Sequence, residues 1–316
     1  MGTILSALLS RNYGVPNVVL EKETQIPHEP RAFAFGEHGV RILQSLGLYD
    51  RVYADIAMAV TWTELISGTH HDIHHPPFMR KSLMKTGVTG HHISSRFKQP
   101  KMEEIVREVI QEAKVGEFRD GCEVIEIRES KDQGFAYVKY REKRSGVLRN
   151  IKTRFVIATD GRRGFTRKNY LEPRGVKLER VHPYSQVFVG ANWQVWTPTP
   201  HSHPDFPLWK LGYSPEEVVQ AFFPFNMKLM CNPERQCVAS RICTKNENPF
   251  VYRTEFSTKP GEDPQQLSTP ETIAKFTKPY MTHSGSRYGC VKCGWLGNVL
   301  TTATDSPKTW HSPKIA

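Results

Sequence analysis

The chain is 316 residues long, which at about 150 residues per domain predicts two domains, each large enough to bury its own core. With 38% hydrophobic and 10% aromatic residues, and 22 Gly and 22 Pro without a period, collagen, coiled coil, disordered polymer and disulfide-stapled miniprotein are excluded. Forty-three Lys and Arg against 32 Asp and Glu leave +11, a field that attracts anionic cofactors, nucleic acid or an acidic membrane and does not choose among them.

Met1 to Asn12 reads as a helix with apolar Ile4, Leu5, Leu8 and Leu9, followed by Gly14. Val18-Val19-Leu20 reads as a short buried strand ending in Glu21, so the order of elements starts in the middle of a βαβ unit. Gly36 to Leu46 is helical by the spacing of Val40, Leu43 and Leu46, and Gly47 stops it. The cluster His70-His71-Asp72-Ile73-His74-His75 would put His70 and His74 on one helical face, but Pro76-Pro77 favours an extended loop, so no metal is expected there. Met102, Ile105, Val106, Val109, Ile110 and Ala113 form one buried helical face with Pro100 near the first turn.

Three strand-like runs come next, Cys122 to Glu129, Phe135 to Arg141 and Leu148 to Ala158, separated by turns at Asp132-Gln133-Gly134 and Arg144-Ser145-Gly146. The last ends in Phe155-Val156-Ile157-Ala158, continuous enough for a central parallel strand. The basic stretch from Lys139 to Arg144 reads as a solvated hairpin tip, and no nucleic-acid module accompanies it. From about Val181 the chain turns to aromatic-rich β runs (Gln186 to Trp196, Gln236 to Thr244, Val251 to Ser257) in which helical periodicity nearly vanishes. The Pro-rich stretch Thr197 to Pro204 between them is too irregular for a sheet centre. A domain boundary is expected between Arg174 and His182. Of the six cysteines, only Cys290 and Cys293 form a C-x-x-C pair; a zinc ribbon needs two, so free thiols are expected.

Two segments carry chemistry. Glu21 stands about 20 residues beyond Gly2 at a strand end, where an acidic residue hydrogen-bonds the ribose of a dinucleotide. In Phe155 to Arg167 a strand delivers Asp160-Gly161 into a basic segment, putting backbone N–H groups and Arg charge where a pyrophosphate could sit. With Pro30-Arg31-Ala32 and Gln99-x-x-Met102-Glu103 between them, these segments resemble the FAD-dependent aromatic hydroxylases, flavin monooxygenases related to para-hydroxybenzoate and phenol hydroxylases. The resemblance covers roughly residues 2 to 285.

The resemblance implies an α/β (α+β) fold: a partial Rossmann-like FAD-binding layer lacking its first strand over residues 1–174, an antiparallel β-sheet substrate domain over 175–285 and a divergent C-terminal tail over 286–316. It implies FAD as cofactor, NADPH or NADH as reductant, and a phenolic or polyketide-like aromatic metabolite as substrate, hydroxylated with O2. Cofactor-binding residues carried over are Gly2, Glu21, Arg31, Gln99, Asp160 and Gly161, with Arg167 closing the second fingerprint. Trp193, Trp196 and Phe223 are candidate substrate-wall residues. No catalytic acid or base is nominated; His182, Tyr184 and Tyr213 qualify by residue type only. A cytoplasmic protein without nucleic acid or a stable membrane anchor is expected, with a homodimer left open.

The family begins with a strand and a G-x-G-x-x-G turn, whereas this chain starts at what matches the last glycine, Gly2, and the late Gly-Asp motif is absent around Leu296 to Asp305. The expectation is an enzyme truncated at both ends, with an open edge at Val18 to Leu20 or Phe155 to Ile157. The alternative is a catalytically inactive remnant. Met1-Gly2-Thr3-Ile4-Leu5-Ser6 also fits an N-myristoylation pattern, a third reading.

Overall fold

The computed structural model describes residues 1–27, 34–67, 78–82, 86–130, 134–161, 163–177, 187–242, 247–277, 280, 300–303 and 308–311. In chain order the elements are α1 (Gly2–Arg11), β1 (Asn17–Leu20), β2 (Ala34–Phe35), α2 (Glu37–Ser45), α3 (Tyr49–Arg51), β3 (Ala57–Ala59), β4 (Trp62–Ser67), β5 (Met79–Ser82), β6 (Ser95–Phe97) and α4 (Gln99–Ala113). There follow β7 (Gly116–Arg119), β8 (Cys122–Ser130), β9 (Phe135–Glu142), β10 (Leu148–Thr153), β11 (Val187–Val195), α5 (Pro207–Lys210) and α6 (Pro215–Phe222). The last are β12 (Met227–Cys231), β13 (Cys237–Ile242), β14 (Phe250–Ser257), α7 (Pro270–Thr277), β15 (Leu300–Ala303) and β16 (Lys308–His311).

These elements form two units: the first holds Met1–Arg31, Ile42–Arg51 and Gln99–Val181, the second Ala32–Arg41, Val52–Lys98 and His182–Ala316. The chain therefore crosses between units several times, and the last crossing falls at Val181 and His182.

In the first unit β1 and β7 pair in parallel, Asn17 opposite Gly116 through Leu20 opposite Arg119, with α1 and α4 packed beside them. α4 buries Ile105, Val106, Val109 and Ile110, the i, i+1, i+4, i+5 stripe that its apolar spacing dictates. α1 buries a different face from the one its apolar residues suggest: Ser6, Ala7 and Ser10 are inside, while Ile4, Leu5, Leu8 and Leu9 are only half-buried. Small residues let the helix lie close to its neighbours, and their hydroxyls are satisfied locally. Ser10 Oγ donates to the Ser6 carbonyl at 2.7 Å, Asn17 Nδ2 donates to Ser10 Oγ at 2.9 Å, and Ser6 Oγ donates to Asn17 Oδ1 at 2.5 Å. Gly116 completes the contact, because a Cβ there would overlap Ser10 Oγ.

An antiparallel sheet, β10-β9-β8, completes the regular structure of this unit. Two expectations are corrected here. Val18 to Leu20 does form a strand, but it is half-buried with Val18 38% exposed, since among the described residues it pairs with β7 alone. The run from Leu148 stops being a strand at Thr153, and Phe155 to Ala158 is unpaired, with Phe155 81% and Ile157 59% exposed. A β-strand exists only through hydrogen bonds to neighbours, and none of the described strands lies beside this segment, so its apolar composition cannot act.

The second unit is built on a large sheet of order β15-β11-β14-β13-β12-β4-β5, with β16 also on β11. It is antiparallel throughout except where β12 runs parallel to β4. A small sheet, β2-β6-β3, belongs to the same unit. Because side chains alternate across a strand, one face of the large sheet carries Val189, Ala191, Trp193 and Val195 from β11, and Phe250, Tyr252 and Phe256 from β14. Cys237 and Ala239 of β13 and Met230 of β12 continue it, and all pack with Phe206, Leu208, Val218, Val219, Phe222 and Ile273 of the α5 to α7 region in one apolar core.

The three helices correct the expectation that helical structure nearly disappears after Val181. α6 has a clear local signal: Ser214 accepts from the Glu217 backbone N–H while the Glu217 carboxylate accepts from the Ser214 N–H, with Pro215 at the first helical position. Arg241, 5% exposed, donates to the Phe223 and Val219 carbonyls at the end of this helix and stacks on Phe225. Among the described residues Cys122, Cys231 and Cys237 are free thiols, and no helix is long and apolar enough to cross a membrane.

The small-residue face of α1 generates a stability prediction. Ala7 is fully buried, so Ala7→Leu overpacks the contact and costs about 1–3 kcal/mol; the urea unfolding midpoint falls accordingly, and an unchanged midpoint would contradict the packing described.

Candidate functional site

Chain geometry brings one end of the first unit together. The loop 12–16 joins the end of α1 to the start of β1, and residues 114–115 join the end of α4 to the start of β7. Each helix therefore returns along its strand, and Asn17 at the start of β1 meets Ser6 and Ser10 of α1. The first turns of α1 and α4 consequently lie at the carboxyl ends of the parallel strands, where open α/β sheets place ligands. Gly2 opens α1, Gln99 opens α4, and Glu21 follows β1 directly.

Asp160 joins this end through its neighbour Thr159. A Cβ on Gly2 would overlap Thr159 Oγ1, so the Thr159 side chain lies against the first turn of α1. The first intrahelical bond of α1 is Leu5 N–H to the Met1 carbonyl at 3.0 Å, and Met1 provides no side-chain cap. The N–H groups of the preceding turn thus have no intrahelical acceptor and point outward with the positive end of the helix dipole. That arrangement holds an anion well.

The two carboxylates have local partners that the spacing alone does not reveal. Glu21 Oε1 accepts from the Glu23 N–H at 2.9 Å, while the Glu21 backbone is held to both neighbours, its N–H on the Arg119 carbonyl at 2.9 Å and its carbonyl on the Cys122 N–H at 2.7 Å. Asp160 Oδ2 accepts from the Thr166 N–H at 2.8 Å and so caps the helical segment that follows. Gly161 has φ +74°, a left-handed turn that glycine adopts without strain. Gly164 is needed for a different reason: a Cβ there would overlap the Asp160 carboxylate. Arg167 is engaged as well, its Nε 2.9 Å from Glu172 Oε1.

Other candidates divide sharply. Trp193 and Phe223 sit in the apolar core facing α5 to α7, with Trp193 Nε1 donating to Thr254 Oγ1 at 2.8 Å, so they pack the fold and do not line an open wall. Trp196 is 40% exposed just beyond β11, and Tyr213 packs half-buried against the core. Arg31, His182, Tyr184, the His70 to His75 cluster, Cys290 and Cys293 lie outside the described residues. Among the described residues no group of His, Cys, Asp and Glu is arranged to hold a metal. Sequence reasoning missed the contacts of Thr159, Gly164 and Thr166, because a carboxylate that accepts from a backbone N–H six residues on leaves no residue-type signal.

Comparison with known proteins adds the family. The sequence profile of a family described as "FAD binding domain" matches residues 1–281. The 3-(3-hydroxy-phenyl)propionate/3-hydroxycinnamic acid hydroxylase of Burkholderia cenocepacia is 25% identical over 273 residues, covering 85% of this chain and 42% of that protein. The chain therefore spans less than half the length of that curated relative. Among solved structures, aklavinone-11 hydroxylase in complex with FAD and aklavinone superposes with a TM-score of 0.67 at 15% identity, over 89% of this chain and 48% of that one. p-Nitrophenol 4-monooxygenase from Pseudomonas putida superposes with a TM-score of 0.63 at 18% identity, over 90% and 61%.

The Asp160 cap yields a double-mutant test. Asp160→Ala and Gly164→Ala each cost about 1 kcal/mol by losing the same bond to Thr166. The double variant is then no worse than either single one in chemical unfolding, and additive losses would show that Gly164 serves some other purpose.

Proposed function

The chain belongs to the FAD-binding-domain family of the flavin-dependent aromatic hydroxylases, and from that membership we propose that it binds FAD at the carboxyl end of its first unit and serves the hydroxylation of a phenolic or polyketide-like aromatic compound with NAD(P)H and O2. The observation that carries the reading is the gathering of Gly2, Glu21, Gln99 and Asp160-Gly161 at that one end.

The residues present fit the dinucleotide end of the cofactor. The unpaired N–H groups of the α1 first turn suit a pyrophosphate. In this reading Glu21 accepts from the adenosine ribose with the carboxylate oxygen left over from its bond to Glu23. Gln99 donates at the head of α4. Asp160, already fixed by Thr166, orients the Gly161 turn. Arg31 is assigned to the flavin side on the family resemblance alone. The flavin supplies electron transfer and oxygen activation when bound; the chain's part is to hold it, align an electron-rich ring and exclude water. The small-molecule partners of the reading are one aromatic substrate and one nicotinamide nucleotide.

A second reading, a chain that folds without catalysing, is supported by the exposed and unpaired Phe155 to Ile157 segment directly before Asp160. Flavin fluorescence titration separates the two. The first predicts saturable FAD binding that Glu21→Ala weakens by about 1–3 kcal/mol, the range for a hydrogen bond to a charged group. Glu117→Ala, at the opposite end of β7, leaves it unchanged. Absence of FAD binding, or equal effects of both substitutions, would remove the assignment.

A further inference from the structure

The antiparallel sheet β10-β9-β8 of the first unit has a buried face and an open one, and its central strand β9 alternates between them. Ala136, Val138 and Tyr140 are inside, 9%, 6% and 1% exposed; Phe135, Tyr137, Lys139 and Arg141 stand on the other side, with Tyr137 38% exposed. Pairing extends this outer face in rows. Lys152 of β10 and Arg128 of β8 lie opposite Tyr137, Asn150 and Glu126 opposite Lys139, and Leu148 and Glu123 opposite Arg141. Leu148, Asn150, Lys152, Arg128 and Arg141 are all exposed, so the rows are open to solvent.

Charge and aromatic rings are interleaved on this face. Lys152 Nζ lies 4.2 Å from the Phe135 ring centroid and 5.9 Å from that of Tyr137. Glu126 is bonded to Arg128, and Glu142 at the end of β9 to Arg149 and Ser145, while Lys139, Arg141 and Lys152 form no salt bridge among the described residues. Gly134 turns the chain into β9 with φ +63°, and a Cβ there would meet nothing, which leaves the approach to Phe135 open. The order of residues is an independent observation. Gly134-Phe135-Ala136-Tyr137-Val138-Lys139-Tyr140 follows G-F/Y-G/A-F-V-x-F/Y, a strand pattern of sheets that read RNA, with Tyr137 in the place of Phe and Gln133 in the place of the preceding Lys or Arg. In such sheets the strand aromatics stack bases, and alternation turns Phe135 and Tyr137 outward as stacking requires.

We propose that the outer face of β8 to β10 binds single-stranded RNA, Phe135 and Tyr137 each stacking one base and Lys139, Arg141 and Lys152 meeting the phosphates. Same-face residues two apart on a strand are about 7 Å apart, which spaces the two rings for successive bases. A base stacks on an aromatic ring more strongly than an exposed ammonium does, so Lys152 passes from the Phe135 ring to a phosphate. Asn150, exposed beside Lys139, both donates and accepts, which suits a ribose 2′-OH. The net charge of +11 adds attraction at a distance. Charge alone would fit any polyanion, whereas the paired rings fit one with free base faces, and a duplex hides those. The basic stretch from Lys139 to Arg144, read from the sequence as a solvated hairpin tip, thus gains a ligand through its strand residues.

The test is fluorescence anisotropy of a labelled oligouridylate of about ten nucleotides with the full chain, beside the deoxyuridine oligomer, the uridylate–adenylate duplex, and inorganic polyphosphate as unlabelled competitor. The single-stranded RNA binds saturably and more tightly than the DNA or the duplex, and log K falls by about 2 per tenfold rise in salt, the slope for three neutralised phosphates on a single strand. Tyr137→Ile, which keeps a strand former and removes the ring, weakens binding about tenfold. Tyr137→Phe restores it to within about twofold of the original, and Lys152→Gln lowers the salt slope by about 0.7. Absence of saturable binding overturns the proposal, as does DNA or duplex binding as tight as RNA, or Tyr137→Ile within about twofold of the original. Polyphosphate that displaces the RNA as well as unlabelled oligouridylate does would also overturn it, reducing the face to a charged patch.

Discussion

How closely α1 lies on β1 and β7 decides where its first turn ends, and among the described site residues Gly2, Glu21 and Asp160 are placed relative to that turn. Closeness comes from Ser6, Ala7 and Ser10 on the helix and Gly116 on the strand, with Asn17 knitting the serine hydroxyls together. A bulkier face would push the helix outward and carry Gly2 away from Thr159. The stabilisation here is packing plus satisfied hydroxyls, both of which need short distances. From that contact the positive end of the helix, the acidic residue after β1 and the capped Asp160 turn follow as consequences of connectivity.

The second unit depends on a different constraint, the strict alternation of side chains along β11, β14, β13 and β12. One parity is spent on the apolar core with α5 to α7. Trp193 and Phe223 look like substrate-wall residues by type, yet alternation for the first and the turn after α6 for the second commit them to the core.

Legibility followed the same physics. α4 could be read because six apolar residues fall on one helical stripe, and the β8, β9 and β10 strands because Gly-containing turns punctuate them. The existence of α1 was readable but its buried face was not, since hydrophobicity marks residues that can be buried and says nothing of small residues chosen for close approach. Phe155 to Ala158 has strand composition without a strand, because pairing is a property of neighbours. α5 to α7 were hidden in aromatic sequence, although the Ser214-Pro215-Glu216-Glu217 cap was visible. At the site, Gly2, Glu21, Gln99 and Asp160 could be named from spacing and resemblance, while the bonds that fix them, to Glu23 and Thr166, depend on backbone conformation.

The central claim, that one end of the first unit holds the dinucleotide, is tested most directly by amide hydrogen exchange with and without FAD. The account predicts added protection at residues 2–4, 21–23 and 160–166 together, with no change at the hairpin tip 143–147. Protection confined to the second unit, or spread evenly over both, would contradict it.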